Sequence, residues 1–131
     1  MKVILETGAL EEHANKADLI YEAVILSLQN GADFIKTSTG KHPVGATPYA
    51  VETICKVLKQ YKNQFPNVGV KVSGGIKTLD DVAMYANIVK EYLGEDALTA
   101  DKFRIGASSL LNSIETTLGL NNSTPSTSDG Y

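Results

Sequence analysis

Tryptophan is absent from this sequence of 131 residues, cysteine occurs once and proline four times. With Cys55 alone, no intramolecular disulfide can form, and the chain suits a reducing compartment. No apolar run approaches the roughly 20 residues of a membrane-spanning helix, and Met1-Lys2-Val3-Ile4-Leu5-Glu6 holds too short an apolar segment for a secretory signal. Together these absences point to a cytoplasmic protein with no membrane partner. Excess positive charge is missing as well: with a net charge of -3 and a pI near 5.3, long-range attraction to nucleic acid or an anionic membrane is not expected. Nucleotide signatures are equally scarce. There is no G-x-G-x-x-G fingerprint, and although Gly40-Lys41 resembles the end of a P-loop, Ile35 stands where its first glycine belongs and His42 where Ser or Thr should bind magnesium. His13 and His42 lie far apart without cysteine or carboxylate neighbours at ligand spacing, so no metal site is expected. His42 reads instead as a loop residue near the site.

What is present is the composition of a soluble globular domain, 43% hydrophobic and 21% charged, in a chain long enough for one core. Val3-Ile4-Leu5 is a continuous apolar run that suits a strand buried on both faces. Asp18 is placed to cap a helix whose apolar face carries Leu19, Ile20, Ala23, Val24, Ser27 and Leu28, and Asn30-Gly31 ends it. Residues 32–35 form a second strand. Thr47-Pro48 opens a helix with Val51, Ile54, Cys55, Leu58 and Tyr61 on one face, running to about Gln64, so Cys55 is a core residue rather than a nucleophile. Residues 68–71 make a third strand. Thr78 and Asp81 have the spacing of a capping box for a helix with the stripe Val82, Tyr85, Ile88, Val89, Tyr92 and Leu93, stopped by Gly94. Phe103-Arg104-Ile105 is the last strand, and a serine of Gly106-Ala107-Ser108-Ser109 caps a helix bearing Leu110, Leu111, Ile114 and Leu118. The spacing of roughly 30 to 35 residues between units is that of a βα repeat in a parallel sheet. Residues 1–120 therefore read as four strand–helix units and 121–131, small and polar, as a flexible tail.

Ligands of parallel α/β architectures bind at the carboxyl ends of the strands. There the chain places Gly31-Ala32-Asp33-Phe34-Ile35-Lys36-Thr37-Ser38-Thr39-Gly40-Lys41, a strand that ends on a lysine and breaks into a hydroxyl-rich loop. A strand-end lysine ordinarily snorkels to solvent. Burial, however, disfavours its ammonium form and turns it into an amine nucleophile, and Lys71 at an equivalent strand end would add a second cation to the same region. Lys71 has an equally open alternative as a simple binder of phosphate or carboxylate. Gly74, Gly75, Ser108 and Ser109 offer backbone N–H groups suited to an anion, although such glycines also serve ordinary turns.

Taken with Lys2-Val3-Ile4-Leu5-Glu6-Thr7-Gly8, Gly45-Ala46-Thr47, Val68-Gly69-Val70-Lys71-Val72-Ser73-Gly74-Gly75-Ile76-Lys77-Thr78 and Phe103-Arg104-Ile105-Gly106-Ala107-Ser108-Ser109-Leu110-Leu111, the Lys36 block resembles the deoxyribose-phosphate aldolases, in order, across nearly the whole chain. The resemblance implies a class I aldolase on a TIM (β/α)8 barrel, splitting 2-deoxy-D-ribose 5-phosphate reversibly into acetaldehyde and D-glyceraldehyde 3-phosphate. By position Lys36 matches the family's Schiff-base lysine and Lys71 the lysine that perturbs it. Thr39, Lys41, Gly74, Gly75, Ser108 and Ser109 match positions around the substrate phosphate, and Tyr131 matches a terminal tyrosine that assists proton transfer, which turns the tail into a lid. Neither metal nor organic cofactor is implied.

Only the family's C-terminal half is visible, four βα units where a closed barrel has eight, and the family's acidic proton-relay residue belongs to the other half. Glu6 is expected to be structural. An open half exposes two sheet edges and apolar residues meant for an interior. The chain thus reads as a fragment, one member of a split pair, or a self-associating half, and association of some kind is expected. The rival to an aldolase is a catalytically incompetent half-barrel that binds a sugar phosphate or serves as an assembly unit.

Overall fold

In the computed structural model, residues 1–107 and 110–119 are described, so Ser108, Ser109, the predicted tail and Tyr131 lie outside the described residues. Four parallel strands, β1 (Lys2–Ile4), β2 (Phe34–Lys36), β3 (Gly69–Ser73) and β4 (Phe103–Gly106), form one sheet in sequence order. Between them run α1 (Thr7–Leu10), α2 (Lys16–Gln29), α3 (Pro48–Gln60) and α4 (Leu79–Leu93); a 3-10 turn at Glu95–Ala97 precedes β4, and α5 (Leu110–Thr117) follows it. Each strand pairs with the next one in the chain, so the sheet has no reversal of strand order such as divides a doubly wound fold.

The helices begin where local chemistry dictates. Thr47 accepts the Ala50 N–H at 3.1 Å ahead of Pro48, and Thr78 and Asp81 form the predicted reciprocal capping box. On one side of the sheet Ile35, Val70 and Val72 are fully buried against Ile20, Val24, Val51, Ile54 and Val89 of the helices. Each such side chain contributes about 1.5–3 kcal/mol by leaving water. Cys55 belongs to this core, and burial pushes its thiol up to about 12.

Parallel register puts Lys2, Ile4, Phe34, Lys36, Lys71 and Arg104 on the opposite side. Here the expectation for the first strand is corrected. Among the described residues β1 has a neighbour on one edge, and Ile4 is 44% exposed, so the apolar run Val3-Ile4-Leu5 is not buried on both faces. Leu111 and Leu118 of the predicted last stripe are likewise exposed. Other boundaries move slightly. The second helix starts at Lys16 rather than after Asp18, α3 closes at Gln60 rather than about Gln64, and α1 is an unpredicted turn of helix.

Replacing Ile54, which is fully buried at the meeting of α3 and the sheet, by alanine should cost about 2–5 kcal/mol. Urea unfolding followed by circular dichroism measures it as a lowered midpoint.

Candidate active site

The carboxyl ends of β1, β2 and β3 are joined through Thr37. Its N–H donates to the Lys71 carbonyl at 3.1 Å, its carbonyl accepts the Thr7 N–H at 2.9 Å, and its hydroxyl donates to the Ser73 carbonyl while accepting the Ser73 N–H, both at 3.0 Å. Ser73 completes the seam by donating its hydroxyl to the Ser38 carbonyl at 2.9 Å. All three residues are fully buried, so each of these bonds is made away from water.

This seam presents Lys36. β2 and β3 are neighbours, and Lys36 stands in direct register with Lys71, so the two lysines named from the sequence do share one face. Lys36 is only 4% exposed; it does not snorkel. Burial, and after it the Lys2 ammonium, hold its amine below the ordinary lysine range, while the Glu6 carboxylate acts the other way. Lys71 is held low too, by burial and then by Lys2, Lys36 and Arg104. Lys2, which the sequence reading left unmarked, thus bears on both lysines. Its only sequence signal is strand periodicity, which puts it on the same side as Ile4, the register partner of Lys36.

Glu6, expected to be structural, organises the loop after β2. It sits in the left-handed backbone region, φ 54 and ψ 58, and its carboxylate accepts the Thr39 N–H at 3.3 Å and the Thr39 hydroxyl. The Thr39 oxygen also accepts the Lys41 N–H at 3.1 Å. Thr39 is therefore first of all the organiser of this loop, with Lys41 exposed beyond it. Gly74 and Gly75 both have positive φ, but they differ in surroundings. A Cβ on Gly45 would lie 2.5 Å from the Gly74 backbone, so the loops after β2 and β3 touch there, whereas Gly75 borders open space. The Ala46 N–H, donating to the carbonyls of Ser73 and Gly74, locks that contact. His42 lies to the side of α1, with its ring nitrogens near the Glu12 carboxylate at 3.0 Å and the Val44 backbone.

A buried strand-end lysine whose ammonium form is disfavoured is the kind of group that can act as an amine nucleophile. Residues 1–116 match the family model described as DeoC/LacD family aldolase, and the chain belongs to that family. Two solved structures from Toxoplasma gondii ME49 described as deoxyribose-phosphate aldolase resemble it. The apo form has 27% identity and a TM-score of 0.77 over 94% of this chain and 46% of its own. The other has 26% identity and a TM-score of 0.74 over 90% and 45%. A protein from Coccidioides immitis with the same description shares 31% identity, with a TM-score of 0.67, over 89% of this chain and 38% of its own. The chain spans less than half the length of these structures, and its four parallel βα units correspond to that portion of their barrels.

Replacing Thr37 by valine keeps its shape but strands the Ser73 N–H, at a cost of about 1–3 kcal/mol in denaturant unfolding. Lys36→Met should stabilise the protein, and the gain should depend on pH. Below the lowered pKa of Lys36 the native state carries a buried charge. Between that pKa and the ordinary 10.5 the unfolded state binds the extra proton, so wild-type stability rises with pH across this window. The advantage of Lys36→Met therefore shrinks as pH approaches 10.5, as unfolding curves across the alkaline range would show.

Proposed function

We propose that this chain carries the Schiff-base-forming half of a class I aldolase for 2-deoxy-D-ribose 5-phosphate. The observation that supports the reading is Lys36, buried at the end of β2, in register with Lys71 and held toward its neutral amine. A neutral amine has the lone pair that carbonyl addition needs.

In the proposed reaction Lys36 Nζ adds to the C1 carbonyl of the open-chain sugar, and loss of water gives an iminium. Removal of the C3 hydroxyl proton breaks the C2–C3 bond. Its electron pair flows into the iminium, releasing D-glyceraldehyde 3-phosphate and leaving an enamine. Protonation of the enamine at C2 and hydrolysis return Lys36 and release acetaldehyde. Lys71, in register beside Lys36, is the second lysine that perturbs it in this reading. Thr39, Lys41, Gly74, Gly75, Ser108 and Ser109 surround the phosphate in this reading, and the loop at Gly75 is open. Tyr131 is assigned to proton transfer and the tail around it to closing the site. The proposal includes a cytoplasmic setting.

The edges that β1 and β4 present among the described residues and the exposed Ile4 support an active unit larger than these residues, completed by further sequence of the same protein, by a second copy or by a companion supplying the remaining strands. Among the described residues no feature of the site favours the rival reading, a half-barrel that binds sugar phosphate without turning it over.

Borohydride reduction with acetaldehyde or the deoxysugar phosphate, followed by peptide mass mapping, should find the adduct on Lys36. Its absence from folded protein would remove the Schiff-base assignment from this chain. Lys36→Arg should abolish the adduct altogether. In solution, light scattering should give a mass above that of one chain, whereas a stable monomer would contradict the association.

A further inference from the structure

Glu6 combines two features that the turn at the end of β1 does not by itself require. A non-glycine residue in the left-handed region is strained, and such strain persists where surrounding contacts enforce it. Here they do. The flanking residues are pinned to the second strand's end, the Leu5 N–H donating to the Lys36 carbonyl at 3.0 Å and the Thr7 N–H to the Thr37 carbonyl at 2.9 Å. The Glu6 carbonyl accepts the N–H groups of Ala9 and Leu10, at 3.0 and 3.3 Å, and so starts α1. These bonds hold Glu6 alongside Lys36-Thr37, and its carboxylate crosses to the N–H and hydroxyl of Thr39.

We propose that Glu6 is the positioning residue of the Lys36 site: its carboxylate clamps the loop after β2 through Thr39 and supplies the negative charge that faces the Lys36 ammonium. The assignment rests on reading Lys36 as the nucleophile. The charged groups around Lys36 are Lys2 on β1, Lys71 on β3, Arg104 beyond it on β4, and Glu6. Glu6 is the acidic member of that set. Burial and then Lys2 lower the Lys36 amine, and Glu6 is the carboxylate that opposes them. It also keeps the hydroxyl of Thr39 turned toward β1, where that oxygen holds the Lys41 N–H and hence the path of the loop.

The test separates the charge from the clamp. Glu6→Gln retains an oxygen to accept from Thr39 but removes the charge, and Glu6→Gly suits the left-handed backbone while removing both. Lysine labelled with 13C, its Lys36 signal identified by comparison with Lys36→Arg, reports the titration of Lys36 directly, without turnover. Both variants should move that titration to lower pH, because the charge that favours the ammonium is gone. Only Glu6→Gly should also speed amide exchange at Thr39 and Lys41. An unmoved titration in Glu6→Gln, or in Glu6→Gly should the glutamine variant fail to fold, overturns the proposal. Borohydride trapping in the same samples distinguishes the two readings. A shifted titration with no Lys36 adduct in the wild type supports the role of Glu6 and removes the aldolase reading, whereas an adduct with an unmoved titration does the reverse.

Discussion

Everything at the carboxyl end of this sheet depends on the way Thr37 satisfies its polar groups. It lies just beyond β2, where the ladder ends and backbone groups would otherwise be orphaned in a dry environment. By bonding to Lys71, Thr7 and Ser73 it extends the pairing past the last strand residue and ties three consecutive βα units together. The backbone beside Lys36 is thereby held rigid, which is what allows a lysine to stay buried instead of pulling its own strand end toward water. A buried amine is otherwise a liability; on a fixed scaffold it can serve as the reagent of the proposed reaction.

Electrostatics on the open side of the sheet follow from register. Parallel pairing aligns Lys36, Lys71 and Arg104 across three strands and sets Lys2 on the same side of β1. Repulsion among cations favours loss of a proton from the least hydrated of them. The guanidinium of Arg104 is partly engaged over the Phe34 ring, 4.2 Å from its centre, which leaves the lysines as the responsive groups. Glu6 moderates this field from the strained corner at which β1 turns into α1, so charge balance and loop geometry meet in one residue.

Much of the fold was legible because its signals are local. Thr47-Pro48 and the Thr78, Asp81 box operate within one turn of helix, and the apolar stripes of α2, α3 and α4 pointed to the right core residues. Burial of the first strand was not legible. An apolar run looks the same whether its strand has one neighbour or two, and among the described residues β1 has one. The candidate site divides the same way. Lys36 announced itself by following an apolar strand and preceding a hydroxyl-rich loop, but Lys2 and Glu6 acquire meaning only from what lies across from them. The bonds of Thr39 to Glu6 and to the Lys41 N–H likewise emerge only from the structure.

By itself the sequence determined the longer helices α2, α3 and α4, the repeat of βα units, the family, and the identity of the lysine at the end of β2, because periodicity, caps and the Lys36 block are written in neighbouring residues. Tertiary structure alone decided which side of the sheet is packed, that Lys36 is buried beside Lys71, and which charges bear on it. Those are consequences of strand register and of bonds between residues some thirty positions apart, such as Thr37 to Ser73 and Glu6 to Thr39, and no local pattern encodes them.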